Sequence, residues 1–235
     1  MQLSMRLRMN ASLVTPGNRL ADVGTDHGYI PIALVEEGVI PSALAMDVNE
    51  GPLMRAEEHI RLSGLVPYIE TRLSDGLEKL GCGEADSVLV AGMGGPLMIR
   101  ILQDGERQLA GVSELILQPQ SEIGLVRHFL EESGWNIDAE DMVREDGKYY
   151  TAIHAVPGDM AWGQEVFYRY GKTLLENHHP VLGRYLKDRE RICGQILENL
   201  DKNGRNTEII SARIREMKQE LDIVREGLAY YETVK

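Results

Sequence analysis

The sequence predicts an α/β fold with a mostly parallel sheet, followed by a hairpin of two long helices. Strand-like and helix-like segments alternate over the first 158 residues, which is the pattern of repeated βα units. Strand signals then nearly disappear, and apolar residues recur at helical spacing in two separate stretches. We therefore expect a sheet-containing domain at 1–158 and a helical domain at 159–235.

Seven strands are predicted from short apolar runs bounded by turn residues. In chain order they cover 19–23, 42–46, 68–73, 87–91, 114–117, 135–143 and 149–156. Helices are predicted over 1–18, 30–37, 52–62, 96–102 and 123–132, the first of them basic and ended by Pro16-Gly17. No helical segment separates the last two strands, so they should form a closing hairpin with an antiparallel final strand. A seven-stranded sheet of this kind is the Rossmann-like frame of class I methyltransferases, whereas a plain dinucleotide-binding fold more often continues βαβ to its end.

The helical domain is predicted to be an intramolecular coiled-coil hairpin. One stripe has the 4-3-4-3-4-3 spacing of an a/d heptad: Ile210, Ile214, Met217, Leu221, Val224, Leu228 and Tyr231. An earlier stripe contains Leu182, Leu186, Cys193, Ile196 and Leu200, with Arg189 in the remaining position. Residues 202–206 separate the stripes as a helix-breaking loop, and helices joined by a short loop pack antiparallel. A monomer is the expectation, and a seam shared with a second chain is the alternative.

Composition limits the partners and the compartment. The net charge of −12 argues against nucleic-acid binding by the chain as a whole. However, residues 160–235 hold 13 basic and 12 acidic side chains, and the first 20 residues hold three arginines and no acid. No run approaches the ~20 apolar residues of a membrane helix, and the N-terminus lacks the apolar core of a signal peptide. The two cysteines are far apart and lack metal-ligand spacing, so we expect a cytoplasmic protein without a metal and without membrane contact.

Four turns are predicted at the carboxyl ends of the first four strands, the edge at which open α/β sheets bind nucleotides. Gly24 and Gly28 punctuate the first turn and can bring a ligand close to the main chain. Asp47 ends the second strand, where a carboxylate can accept both hydroxyls of a ribose. The third strand ends in Ser74-Asp75-Gly76, which can accept an adenine amine, and the fourth in Gly92-Met93-Gly94-Gly95, whose methionine can pack on a base. Each could be only a turn, but the four together favour a site for a nucleoside-bearing cofactor.

Several motifs of this sequence resemble those of a known family. They are Asp22-Val-Gly-Thr-Asp-His-Gly-Tyr-Ile-Pro-Ile, Asp47, Ser74-Asp75-Gly76, Ala91-Gly-Met-Gly-Gly and Gln118-Pro119-Gln120. Over residues 1 to about 158, the chain resembles the bacterial tRNA (adenine-N1)-methyltransferases that modify adenine 22. The resemblance implies S-adenosylmethionine as the cofactor, tRNA as the partner, and a class I methyltransferase domain followed by a coiled coil. It implies a cofactor site formed by Gly24, Thr25, His27, Gly28, Asp47, Val48, Ser74, Asp75, Gly76, Gly92, Met93 and Gly94.

Asp26 and Tyr29 are the candidate catalytic residues. If Asp26 faces the target adenine, it can accept a hydrogen bond from the N6 amine and stabilise the positive charge that N1 methylation places on the ring. Alternatively, its carboxylate favours binding of the cofactor sulfonium or caps the turn. Tyr29 can stack on an extruded base or serve as a packing residue. The N1 lone pair needs no deprotonation, so positioning should supply most of the catalysis.

RNA contacts are expected from basic side chains near both ends of the chain and from an amide at the cleft. The candidates are Arg6, Arg8, Gln118, Arg184, Lys187, Arg191 and Arg205. Heptad helices often carry mixed charge merely as a solvated face, which is the alternative for the helical domain. The resemblance favours a helical domain that binds tRNA phosphates.

Three other functions compete with this interpretation. An NAD-dependent oxidoreductase would also use Asp47, but Asp26 occupies the position of a fingerprint glycine and would repel a pyrophosphate. A non-enzymatic RNA-binding or assembly protein would use the coiled coil and leave the cleft without a reaction. A small-molecule methyltransferase would share the cofactor but would label no RNA.

Overall fold

The computed structural model describes residues 2–203 and 208–232. The chain consists of two compact units, Met1–Ala161 and Trp162–Lys235. The division lies after Ala161, whereas the sequence places a domain boundary at 158. Among the described residues, no helix is both long enough and apolar enough to cross a lipid bilayer.

The described part of the first unit contains seven strands and six helices. The strands are Leu20–Val23 (β1), Ala43–Asp47 (β2), Ile69–Leu73 (β3), Ser87–Gly94 (β4), Glu114–Ser121 (β5), Trp135–Glu145 (β6) and Lys148–Pro157 (β7). The helices are Met5–Ser12 (α1), Tyr29–Glu36 (α2), Glu50–Leu62 (α3), Gly95–Asp104 (α4), Glu106–Leu109 (α5) and Ile123–Glu132 (α6).

The strands form one sheet in the order β3-β2-β1-β4-β5-β7-β6. The first five strands in this order pair in parallel, and β7 pairs antiparallel with both β5 and β6. These pairings confirm the predicted seven-stranded sheet with its closing hairpin. Because β1 lies between β2 and β4, the strand order reverses there, and α/β sheets bind ligands at the carboxyl ends of such a point.

The two central strands are longer than the sequence predicts. β4 continues through the glycines to Gly94, with register shifts on both sides of Met93, although a loop is expected after residue 91. β5 continues to Ser121, so Gln118-Pro119-Gln120 lies inside the strand and not after it. The predicted ends of β4 and β5 are wrong because the apolar run of each strand ends before its hydrogen-bonded pairing does. The pairing continues through a glycine-containing bulge, and a bulge depends on the neighbouring strand and not on the local sequence.

The N-terminal helix is shorter than the predicted 1–18. It spans Met5–Ser12, with Ser4 as its N-cap. Residue 15 precedes Pro16, which disfavours the helical conformation. Moreover, the Thr15 backbone N–H donates to Glu114 at 2.9 Å, which directs the chain away from the helix axis. Leu3 and Val14 are buried, but they flank the helix instead of belonging to it.

A polar network lies at the amino-terminal edge of the sheet. His154 lies between two carboxylates, with Nε2 3.0 Å from Glu114 Oε2 and Nδ1 2.5 Å from Asp138 Oδ1. Glu114 also accepts hydrogen bonds from Ser87 and Thr15. The hydrogen bond with Glu114 raises the pKa of His154; burial opposes this rise and Asp138 adds to it. Burial favours a higher pKa for Glu114, but the hydrogen bonds from His154, Ser87 and Thr15 lower it to about 2.

We expect His154→Gln to destabilise the protein by about 1–3 kcal/mol at pH 6, because two carboxylates lose their shared donor. The raised pKa of His154 fixes the sign of the pH dependence. The contribution of His154 to folding stability is complete below the pKa of histidine in the unfolded chain, near 6.5. It is lost as the pH rises through the higher pKa of His154 in the folded protein. Denaturant unfolding of both proteins from about pH 5.5 to 9 measures this difference, and a difference that grows with pH would contradict the assignment.

The second unit is dominated by two long helices. Its elements are Glu165–Tyr170 (α7), Lys172–Glu176 (α8), Pro180–Asn203 (α9) and Glu208–Glu232 (α10). Gly183 of α9 lies against Tyr231 of α10, and Arg189 of α9 forms an ion pair with Glu220 of α10, so the two helices run antiparallel. Apolar residues of both predicted stripes are buried in this unit: Leu182, Leu186, Cys193, Met217, Leu221 and Val224. The predicted hairpin is confirmed, and its seam packs within the chain.

Candidate functional site

The carboxyl ends of β1, β4 and β5 surround a cavity of about 410 Å³. This carboxyl-end cavity is completed by α1 and by the start of α2. It brings together the predicted residues 24–29, Gly92, Gln118 and Arg6. A larger groove of about 660 Å³ lies at the opposite edge of the sheet, beside Arg19 and Tyr68, and none of the predicted site residues lines it.

The loop after β1 is held in place by glycine conformations and by the neighbouring strand. Gly24 and Gly28 have φ values of +79° and +69°, which favour glycine. The N–H groups of Gly24 and Thr25 donate to Met46 O at 2.8 and 2.9 Å, which fixes the loop against the end of β2. A Cβ atom on Gly24 would clash with the methyl group of Met93, so β4 approaches this loop closely.

The second and third turns lie at the same edge of the sheet, but their predicted residues do not line the carboxyl-end cavity, and Asp75 and Gly76 instead line a separate cavity of about 190 Å³. Asp47 ends β2 and is half-buried, and its Oδ1 accepts a hydrogen bond from Asn49 N at 2.7 Å. Buried Ser74 donates to Gly76 O at 3.0 Å and accepts from Lys79 N at 3.1 Å. These bonds shape the turn that carries the exposed Asp75. Val48, beside Asp47, is largely exposed.

The Asp26 carboxylate forms an ion pair with Arg55, a residue that the sequence does not predict to belong to the site. Arg55 of α3 places Nη2 2.5 Å from Asp26 Oδ1, and His27 Nε2 lies 3.4 Å from Oδ2. The Arg55 hydrogen bond holds the pKa of Asp26 below its usual value. The carboxylate is therefore ionised at the cavity, and its side chain is 64% exposed.

Three rings stack beside the cavity. His27 and Tyr29 have ring centroids 4.8 Å apart at an interplanar angle of 7°, and His59 of α3 lies 5.3 and 5.4 Å from them. His59 Nδ1 is 3.0 Å from His27 O, which ties the stack to the loop. The sequence predicts Tyr29 as a stacking residue but not the contribution of His59. The stack holds Tyr29 as part of an aromatic surface at the cavity.

Asp22 is a second carboxyl group in the cavity, which the sequence interpretation leaves out of the site. It occupies the third position of β1 and is buried, and burial raises its pKa to about 6. A cation bound nearby would favour its ionised form. In the sequence, Asp22 could have been recognised as the acidic residue at the end of the first apolar run.

α1 supplies the remaining wall of the cavity. The N–H of Met5 donates to Glu145 Oε1 at 2.7 Å, which anchors the start of α1 to the β6–β7 hairpin. The Arg6 guanidinium lies over the Tyr150 ring, 5.3 Å from its centroid. Arg8 instead pairs with Glu37 at 2.8 Å and does not line the cavity.

Three of the four predicted RNA-binding residues of the helical unit lie on α9. Arg184, Lys187 and Arg191 are exposed, and their spacing of three and four residues places them on one face of the helix. Arg205 lies outside the described residues. Within the described part of the chain, no cluster of three or more His, Cys, Asp or Glu side chains is arranged to hold a metal ion.

The fold and the site together define a class I methyltransferase, because an antiparallel β7 is inserted beside β5 and a cavity lies at the strand-order reversal. Residues 3–153 match the model of a family described as a methyltransferase domain. The tRNA (adenine(22)-N(1))-methyltransferase of Bacillus subtilis is 37% identical over 159 residues, which cover 68% of this chain and 67% of that protein. The chain belongs to the tRNA (adenine(22)-N(1))-methyltransferase family.

Solved structures with bound ligands resemble nearly the full length of this chain. Streptococcus pneumoniae Sp1610 in complex with S-adenosyl-L-methionine has a TM-score of 0.86 and 33% identity, over 97% of this chain and 100% of that chain. M. capricolum TrmK in complex with S-adenosyl-homocysteine has a TM-score of 0.78 and 27% identity, over 95% of this chain and 100% of that chain.

Proposed function

We propose that this protein transfers a methyl group from S-adenosylmethionine to N1 of adenine 22 in tRNA. The observation that carries the proposal is the carboxyl-end cavity, which combines a glycine loop, carboxylates and an aromatic surface in a chain of this family. We propose that the protein acts in the cytoplasm, because that is the compartment in which a tRNA substrate is available.

The residues at this edge of the sheet fit the cofactor. Gly24 and Gly28 leave the backbone of the first turn open to close approach, and buried Asp22 offers a carboxyl group whose ionisation a cation would favour. Asp47 would hold the ribose, and Asp75 with Gly76 would bind the adenine ring of the cofactor. Thr25, His27, Val48, Ser74, Gly92, Met93 and Gly94 would complete the walls. When bound, S-adenosylmethionine supplies an electrophilic methyl group on a sulfonium.

The protein's main catalytic task is positioning. N1 of adenine already carries its lone pair, so no side chain has to remove a proton before attack. Methylation leaves a positive charge on the ring, and the ionised Asp26 would favour that charge as it develops. Tyr29, held in its ring stack, would hold the extruded base by stacking.

The second unit would contribute to tRNA docking. The exposed basic face of α9 suits contacts to phosphates, which position an RNA without reading its sequence. In the first unit, Arg6 at the cavity and the neighbouring Arg8 would make phosphate contacts of their own. Because the helical seam packs within the chain, we propose that the protein acts as a monomer.

Methyl transfer from labelled S-adenosylmethionine to bulk tRNA, followed by mass-spectrometric mapping of the product, tests the proposed function. We expect 1-methyladenosine at position 22. Absence of label from every RNA pool would favour a non-enzymatic RNA-binding protein, and a labelled product without RNA would indicate a small-molecule methyltransferase. Thermal stabilisation by NAD in place of S-adenosylhomocysteine would indicate an oxidoreductase.

We expect Asp26→Asn to lower kcat about tenfold and to change S-adenosylhomocysteine affinity less than about threefold, because the lost charge matters most when the ring becomes cationic. Steady-state methylation and calorimetric titration measure the two effects. Glu58→Gln, an exposed carboxylate of α3, serves as the control. The reverse pattern, with affinity lost and kcat retained, would make Asp26 a cofactor-binding residue.

A further inference from the structure

Three buried amide atoms at the carboxyl-end cavity have no hydrogen-bond partner. Asn10 of α1 is fully buried and lines the cavity, and both its Oδ1 and its Nδ2 are unpartnered. Gln118 of β5 is also fully buried and lines the cavity. Its Nε2 donates to Pro119 O at 3.3 Å, whereas its Oε1 is unpartnered. Buried polar atoms are nearly always paired, so these three indicate a ligand that completes them.

Thr25 Oγ1 and His27 Nδ1 at the same cavity are also unpartnered, and the three amide atoms of Asn10 and Gln118 define one part of the ligand's hydrogen-bonding pattern. Asn10 presents one acceptor and one donor on a single planar amide, and Gln118 presents one further acceptor. The complementary group has two donors and one acceptor. Adenine has this pattern at one corner, because its N6 amine carries two N–H donors and N7 is an acceptor beside one of them.

We propose that Asn10 and Gln118 select the target adenine by its N6 amine and N7, an inference that rests on the proposed tRNA methyltransferase function. Asn10 Oδ1 accepts one N6–H and Asn10 Nδ2 donates to N7. Gln118 Oε1 accepts the other N6–H. All three amide atoms are then paired, and N1 keeps a free lone pair for the methyl group.

The same arrangement favours the reaction as well as binding. Methylation at N1 makes the ring cationic, which makes the N6–H groups stronger donors. Hydrogen bonds from N6 to Asn10 and Gln118 therefore strengthen as the transition state forms, and such bonds raise the rate. Guanine is disfavoured, because its O6 would place an acceptor against the acceptor Oδ1 of Asn10.

α1 holds Asn10 in a fixed position. Glu145 accepts the Met5 N–H at the start of the helix, and Met9 and Ala11 on either side of Asn10 are buried in the protein. The amide is therefore preorganised before any RNA binds, which lowers the entropic cost of recognition. Nothing in the sequence around Asn10 marks it as a site residue, because an asparagine within a helix is a common surface residue.

The test combines one protein substitution with one atom change in the RNA. Full-length wild type and Asn10→Leu are assayed on two tRNAs that carry adenine or 7-deazaadenine at the target nucleotide. The deaza base lacks the N7 acceptor but keeps N1 and the N6 amine. Ser12→Ala, an exposed change on the same helix, is the matched control. The measurements are kcat/KM, tRNA affinity and the melting temperature without RNA.

We expect the deaza base to lower wild-type kcat/KM about tenfold. Asn10→Leu should lower kcat/KM on adenine about 5- to 150-fold and show no further loss with the deaza base. Its melting temperature should equal or exceed that of wild type, because an unpaired buried amide is replaced by an apolar group of similar size. Ser12→Ala should match wild type on both tRNAs.

Equal rates of wild type on the two tRNAs, or a deaza penalty that persists in Asn10→Leu, would overturn the assignment while leaving the methyltransferase function in place. Failure of wild type to methylate either tRNA would overturn the function itself. If Asn10→Leu does not fold, the comparison of the two tRNAs with wild-type protein still decides whether N7 is recognised.

Discussion

Replacing Asp47 with alanine is expected to weaken S-adenosylhomocysteine binding by about 1–3 kcal/mol, or about 5- to 150-fold in Kd. The carboxylate ends β2 at the edge that carries the cavity, and the Asn49 N–H at 2.7 Å fixes its orientation. Without it, two ribose hydroxyls would be desolvated without acceptors. Isothermal titration calorimetry measures the change in Kd.

Asp159→Ala provides the control for this experiment. Asp159 is an exposed carboxylate that follows β7, and β7 ends at the opposite edge of the sheet from Asp47. The control variant should bind with wild-type affinity. An unchanged Kd for Asp47→Ala would show that Asp47 does not bind the ribose.

A triple charge reversal on α9, of Arg184, Lys187 and Arg191 to glutamate, is expected to lower tRNA affinity at least about 100-fold near physiological salt. Three phosphate contacts would be lost, and each contributes a slope of about 0.7–0.9 to the salt dependence of log K. S-adenosylhomocysteine binding should be unchanged. Filter binding at several salt concentrations measures both the affinity and the slope.

The matched control reverses three basic residues of α10, Arg213, Arg215 and Lys218, and alters the net charge by the same amount. All three are exposed. Because both variants change the overall field equally, a larger loss for the α9 variant isolates a direct role of that face. Equal losses in the two variants would mean that α9 contributes only through net charge.

The sheet could be predicted from the sequence because its signals are local. Apolar runs end in glycine or acidic residues, and the strands they predict start within one residue of the observed ones. The carboxyl-terminal extensions of β4 and β5 could not be predicted in this way. They depend on pairing across the register shifts at Met93, which pairs with Pro119, 26 positions later in the chain.

The candidate site could be predicted only where its residues follow the strands directly. Gly24 and Asp47 are signalled by their position after apolar runs. Asn10, Arg55 and His59 come instead from helices, and only packing brings them to the loop after β1. Nothing in their local sequence distinguishes them from ordinary helical residues.

The anchoring of α1 by Glu145 has a consequence for biosynthesis. Helix α1 forms one wall of the cavity, yet the acceptor for its Met5 N–H lies 140 positions later in the chain. Contacts over such a separation form late. A nascent chain that has completed only β1 to β5 would therefore have the loop after β1 in place and one side of the cleft still unbuilt, so ligand capture should begin only after the hairpin emerges.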